Sequence, residues 1–284
     1  MPVAGALNAA APSLHRQNRC ATLHLRHKDA ARSPLKQYQQ VVQERYESSD
    51  AQAQARADLY SPLHRIGFLL QHRLREQLAE AARRMAMQGL DWKQAQVLDV
   101  GCGVGTWTQF WAAYTGDAAR LYGVDLSQLR IDKARAINGS VHWQLGDVTQ
   151  LPEALPIVDV ATAIVVLMHL RSRAELLAAL RQLHAKLRPG GWLLIYERTG
   201  ADHFAASEGA DHAAFLPSQI HGLCAEAGFV RAFELVVFRQ ICGLGHEAWL
   251  AGRAWPPWLR TLAMQLPGPP ANMLFALRKP LEPG

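Results

Sequence analysis

The chain has little of what membranes, extracellular scaffolds and nucleic-acid partners demand. Its four cysteines, Cys20, Cys102, Cys224 and Cys242, form no C-x-x-C pair. That excludes a dense disulfide framework and the usual dithiol metal or redox site, and it favours a reducing, cytoplasmic compartment. The longest apolar stretch, Val160 to Leu170, is interrupted by Thr162 and His169 and falls far short of the roughly 20 residues that span a bilayer. No internal repeat is visible, so a solenoid or propeller is excluded. Charge is sparse too, at 19% of 284 residues, whereas 49% are hydrophobic, enough to bury a full core and too many for a disordered chain. The net charge of +6 is unevenly placed: Arg16, Arg19, Arg26, Lys28, Arg32 and Lys36 stand against Asp29 alone in residues 1–36, leaving the rest almost neutral. A neutral body argues against a nucleic-acid partner. The leading segment reads as a disordered basic tail, with an organelle transit segment as the alternative. It lacks the apolar stretch of a secretory signal.

What is present falls into three parts. Residues 37–89 read as a helical cap, with Leu59, Leu63, Ile66, Leu70, Leu74, Leu78 and Ala81 at helical spacing and Gly89 as the stop. From Val97 the pattern alternates. Short apolar strands at Val97–Val100, Leu121–Val124, Val141–Leu145, Val158–Val166 and Trp192–Tyr196 are separated by helices at Thr106–Ala113, Leu129–Ala136 and Ala174–Leu187. Near-continuous Val, Ile and Leu runs between helices indicate parallel strands covered on both faces, an α/β doubly wound sheet. A helix over Ser218–Ala227, capped by Ser218, and two strands near Val230–Phe238 and Met273–Arg278 complete a domain of seven strands over residues 90–284. Residues 240–271, holding Trp249, Trp255, Trp258 and five prolines, read as an insertion before the last strand.

The strongest chemical signal is Asp99, Val100, Gly101, Cys102, Gly103, Val104, Gly105, Thr106 at a strand-to-helix turn. Glycines there let backbone approach a ligand, and the helix N-terminus offers unpaired N–H groups. A dinucleotide fingerprint would place its third glycine at Thr106. The D-x-G-x-G-x-G spacing instead resembles motif I of the class I S-adenosylmethionine-dependent methyltransferases. Asp125 at the end of the second strand, Gly146, Asp147 and Val148 after the third, and Arg188, Pro189, Gly190, Gly191 before the fifth agree with that family in order. The resemblance covers residues 90–200, with Gly228 and Phe229 agreeing more weakly.

The resemblance implies a Rossmann-like sheet and S-adenosyl-L-methionine as cofactor. It implies that Asp99 orients the methionyl amino group, that Gly101, Gly103 and Gly105 make room for the cofactor, that Asp125 with Leu126 holds the ribose, and that Asp147 with Val148 meets the adenine. Simpler roles stay open: a buried structural acid for Asp99, a helix N-cap for Asp125, a strand terminator for Asp147. Cys102 reads as a small filler.

His169, just after the fourth strand, is the candidate general base. Tyr60, Arg65, Phe68, Trp249, Trp255 and Trp258 are candidate lining residues, with core packing or a dimer surface as the alternative. Glu197 and Arg198 at the end of the fifth strand read as acceptor contacts or as a surface ion pair. His203 and His212 have no specific metal spacing, and no metal is expected. The expected function is methyl transfer to a small organic acceptor. The alternatives are a macromolecular acceptor, whether peptide, glycan end or RNA, and a non-catalytic cofactor-binding scaffold. The oligomeric state, including a homodimer, stays open.

Overall fold

The computed structural model describes residues 65–170, 172–204, 214–239 and 268–281. Residues 1–64, which hold the basic tail and the cap's first half, and 240–267, nearly all of the proposed insertion, lie outside them. Seven strands form one sheet: β1 (Val97–Val100), β2 (Leu121–Asp125), β3 (His142–Leu145), β4 (Val158–Ile164), β5 (Leu187–Arg198), β6 (Val230–Arg239) and β7 (Pro270–Arg278). Their order is β3-β2-β1-β4-β5-β7-β6, with β7 antiparallel to both neighbours and the rest parallel. The expected mostly parallel Rossmann-like sheet is therefore present. The strand order reverses between β1 and β4, and ligands of such sheets bind above the carboxyl ends at that point.

The helices are α1 (Arg65–Met87), α2 (Thr106–Thr115), α3 (Gln128–Ile137), α4 (Arg173–Lys186) and α5 (Pro217–Glu226). The stripe read in the cap is confirmed where it is described: Leu74, Leu78 and Ala81 are buried. They share a core with Trp92, Trp111 and the sheet face of Val97, Val160, Trp192 and Leu274. Trp92 stacks flat on Trp111 and its indole N–H donates to the Ala82 carbonyl at 2.9 Å. A second core on the opposite face joins Leu98, Ala161 and Ile195 to Leu176, Leu180 and Leu183 of α4 and Ile220 of α5. Gly89 has φ 93, the left-handed value expected of a helix stop.

Most boundaries shift by a residue or two from the sequence reading, the fourth strand ending at Ile164 rather than Val166, and two shifts have a specific local cause. The fifth strand begins at Leu187, not Trp192: Leu187 pairs with Val158 and Trp192 with Val160, so Arg188 to Gly191 bulge out of register between two paired positions. The last helix begins at Pro217 rather than behind a Ser218 cap. Proline lacks the N–H that a first turn cannot use, and the Gln219 carboxamide accepts from Leu216 N–H at 3.0 Å.

Candidate active site

β1 ends beneath a turn whose three glycines, Gly101 (φ 62), Gly103 (φ 57) and Gly105 (φ 86), all take left-handed values. The reasons differ. A Cβ on Gly101 would lie 2.5 Å from Val166 Cγ2, and one on Gly105 2.4 Å from Trp143 Cη2. Above Gly103, among the described residues, only the tip of the Arg130 side chain comes within reach, at 3.5 Å, so a Cβ would meet no fixed atom there. The Gly103 N–H donates to Asp125 Oδ2 at 2.8 Å and the Ser127 N–H to Asp125 Oδ1 at 2.9 Å. The N-cap of α3 is Ser127, whose hydroxyl accepts from Arg130 N–H. Asp125 is thus not the N-cap that was its alternative reading; it binds the glycine turn to the end of β2, next to Leu126.

Asp99 lies lower. It is 1% exposed, with Oδ2 accepting the Thr108 hydroxyl at 2.6 Å and Oδ1 the Thr162 hydroxyl at 2.7 Å. Burial pushes its pKa up to about 6, against the pull of both hydroxyls. The acid ties β1 to α2 and β4 from beneath the turn. Cys102 is buried beside it, its thiol pKa driven far up by desolvation and by Asp99 and Asp125, in keeping with a filler. Asp147 is half-buried after β3, with Oδ1 accepting from Thr149 N–H at 2.8 Å beside Val148.

The turn after β4 closes the other side. His169 is half-buried there, its backbone N–H donating to Val166 O at 3.1 Å. Glu197 is fully buried, which excludes the surface ion pair, and its Oε1 faces the backbone amides of this turn. Arg198 is exposed. His203 is buried and stacked on Phe215, its Nε2 donating to Leu170 O at 2.7 Å. Tyr60, Trp249, Trp255, Trp258 and His212 lie outside the described residues. Arg65 and Phe68 fall on the first turns of α1, and Phe68 is 54% exposed. Among the described residues no cluster of three His, Cys, Asp or Glu could hold a metal, and no helix is long and apolar enough to cross a membrane.

The sequence reading missed four partners of this site: Thr108, Thr162, Val166 and Trp143. Each is an ordinary core residue by type, and only the packing of helix, strands and loop brings it against the turn.

Residues 97–191, the glycine turn and the strands around it, match the family model of a methyltransferase domain. Over that segment the chain carries a methyltransferase domain, similar to those of the class I S-adenosylmethionine-dependent methyltransferases. The malonyl-[acyl-carrier protein] O-methyltransferase of Serratia marcescens is 29% identical over 51% of this chain and 58% of its own length. The tRNA (carboxymethyluridine(34)-5-O)-methyltransferase of Saccharomyces cerevisiae is 33% identical over 42% of each. The chain spans about half the length of the curated relatives it matches. Among solved structures, the magnesium protoporphyrin IX methyltransferase of Synechocystis PCC 6803 superposes with a TM-score of 0.59 at 13% identity, covering 89% of this chain and all of that one, a likeness of fold.

The family's cofactor fits this methyltransferase site. Gly103, whose Cβ would meet only the tip of Arg130 among the described residues, lies at the sheet's reversal point, and the two Asp125 oxygens each retain lone pairs beyond the amides they accept.

Proposed function

We propose that this protein transfers a methyl group from S-adenosylmethionine to a small organic acceptor. The observation that carries the reading is the glycine turn tied by its Gly103 amide to Asp125 at the reversal point between β1 and β4. In this reading Asp125 and Leu126 meet the ribose, Asp147 and Val148 the adenine, and Gly101, Gly103 and Gly105 the methionyl side, while Asp99 acts from below by holding α2 through Thr108.

Bound cofactor supplies an electrophilic methyl on a sulfonium, and in-line displacement asks the protein mainly to position the acceptor and exclude water. A hydroxyl or amine acceptor must also lose a proton. In this reading His169, half-buried on the turn after β4, is the base that takes it. Arg198, Arg65, Tyr60, Trp249 and Trp255 remain the proposed acceptor side. The near-neutral body outside residues 1–36 favours a small acceptor over a polyanion, and the two buried, unpaired cysteines suit the cytoplasm.

A macromolecular acceptor is the second reading, favoured by the tRNA methyltransferase among the relatives. Incubating the purified protein with methyl-tritiated S-adenosylmethionine and extract of its source cells separates them. Label in the small-molecule fraction, lost in His169→Gln, supports the first. Label in RNA or protein replaces it with the second, and cofactor binding without transfer to either fraction supports a scaffold.

A further inference from the structure

The turn that follows β4 is held in an unfavourable shape. Val165 has φ 59, a left-handed value that a β-branched residue keeps only where its surroundings over-determine it. Its N–H donates to Tyr196 O at 2.8 Å. The next three amides converge on one atom: Glu197 Oε1 accepts from Val166 at 2.9 Å, Leu167 at 2.7 Å and Met168 at 3.4 Å. Consecutive amides aimed at one point form an anion-binding concavity, and here a side chain of the neighbouring strand fills it. Glu197 is 0% exposed, and among the described residues its Oε2 has no hydrogen-bond partner. That asymmetry matters. Asp99, an acid buried as deeply, satisfies each oxygen with its own hydroxyl. Glu197 leaves one oxygen bare and commits the other to the turn.

The shape so imposed reaches the glycine turn. Val166, first of the three gathered residues, lies against Gly101, leaving no room for a Cβ there. At its far end the turn is tied by His203 to Leu170 O, so one end answers to the last residues of β5 and the other to the segment after it.

We propose that Glu197 is a positioning residue for the cofactor site: by gathering the Val166–Met168 amides on one oxygen it seats Val166 against Gly101 and thereby sets the affinity of the glycine turn for its ligand. The inference rests on reading that turn as the S-adenosylmethionine site. Neither exposure nor direct contact is required of Glu197, and a glutamine, which keeps one acceptor oxygen, serves in its place.

The test is calorimetric titration of the full chain with S-adenosylhomocysteine. Glu197→Gln is expected to bind within about twofold of wild type, and Glu197→Met, which keeps volume but offers the amides no acceptor, roughly tenfold more weakly. Leu183→Ala, in α4 beside the start of β5, supplies a loss of melting temperature without touching the turn. It is expected to leave affinity unchanged. Val166→Ala alone is expected to weaken binding, and to add less than its full effect on top of Glu197→Met, since both act through one contact. Wild-type affinity in Glu197→Met, equal loss in Leu183→Ala, or strict additivity overturns the proposal. If Glu197→Met does not fold, wild-type affinity in Val166→Ala overturns it by itself. Absence of binding by the wild type would instead remove the cofactor reading.

Discussion

The indole of Trp143 lies across Gly105 so closely that a Cβ on the glycine would sit 2.4 Å from Cη2. The same ring covers Gly123, where a Cβ would meet Cε3 and Cζ3 at 2.4 Å. It is held there by its own N–H, which donates to Asn138 O at 2.7 Å. Gly105 is therefore a packing glycine, whereas Gly103, which no fixed atom crowds among the described residues, is the ligand glycine of the proposed function, although both belong to one motif.

That division predicts opposite phenotypes. Gly105→Ala forces both a left-handed alanine and a clash with a fixed ring, and is expected to destabilise the fold by roughly 2–4 kcal/mol. Gly103→Ala meets no fixed atom and is expected to cost only about 1–2 kcal/mol of backbone strain, while its methyl group occupies the ligand's space. Urea denaturation beside S-adenosylhomocysteine titration checks the pair. Gly105→Ala should lose mainly stability and Gly103→Ala mainly affinity, and an equal loss of both in both variants would cancel the distinction.

The sheet was legible because parallel strands buried on both faces are written as apolar runs, and the glycine turn because left-handed backbone demands a residue without Cβ. Thr162 and Val166 were not legible as site residues. Nothing in the local pattern of Val160 to Leu170 says that Thr162 sits across from Asp99 or that Val166 leaves the strand, since Val165 turns the chain at a conformation its residue type disfavours. The start of β5 was misread for a related reason. Pro189, Gly190 and Gly191 break regular pairing locally, yet the register resumes at Trp192, so a bulge looks like a terminus in sequence.

Burial of Glu197 and Asp99 makes a prediction about pH. Burial raises Glu197 from 4.5 to about 8 and Asp99 from 3.8 to about 6. Between each pair of values the folded chain keeps a proton that the unfolded chain has released, so stability falls as pH rises through that window. The urea midpoint of wild type is expected to decline from pH 5 to 8. Asp99 contributes only below about 6, and Glu197→Gln, which cannot ionise, is expected to flatten the decline between 6 and 8. Parallel profiles for the two proteins over that range would show Glu197 ionised in the fold throughout.

The cysteines give a chemical check on the glycine turn. Thiolate is the reactive form, and burial pushes Cys102 far above the usual thiol range and Cys224 up to about 12. Iodoacetamide at pH 8, read by mass spectrometry of the two peptides, is expected to leave both unmodified in the folded protein and to label both in urea. Rapid labelling of Cys102 in the folded state would mean that the turn opens.

The Asp125 assignment can be separated from its role in the fold. Asp125→Ala leaves the Gly103 and Ser127 amides without their acceptor, so it is expected to lower stability and ligand affinity together, by about 1–3 kcal/mol each. Loss of affinity alone cannot tell a ribose contact from a distorted turn. A ligand comparison can: if the carboxylate accepts from ribose hydroxyls, wild type should prefer S-adenosylhomocysteine over its 2′,3′-dideoxy analogue, and Asp125→Ala should bind the two nearly alike. A turn merely distorted by the substitution would weaken both ligands equally and preserve the preference. Retained discrimination in Asp125→Ala would thus assign the hydroxyls to another group and leave Asp125 as the tie between β2 and the glycine turn.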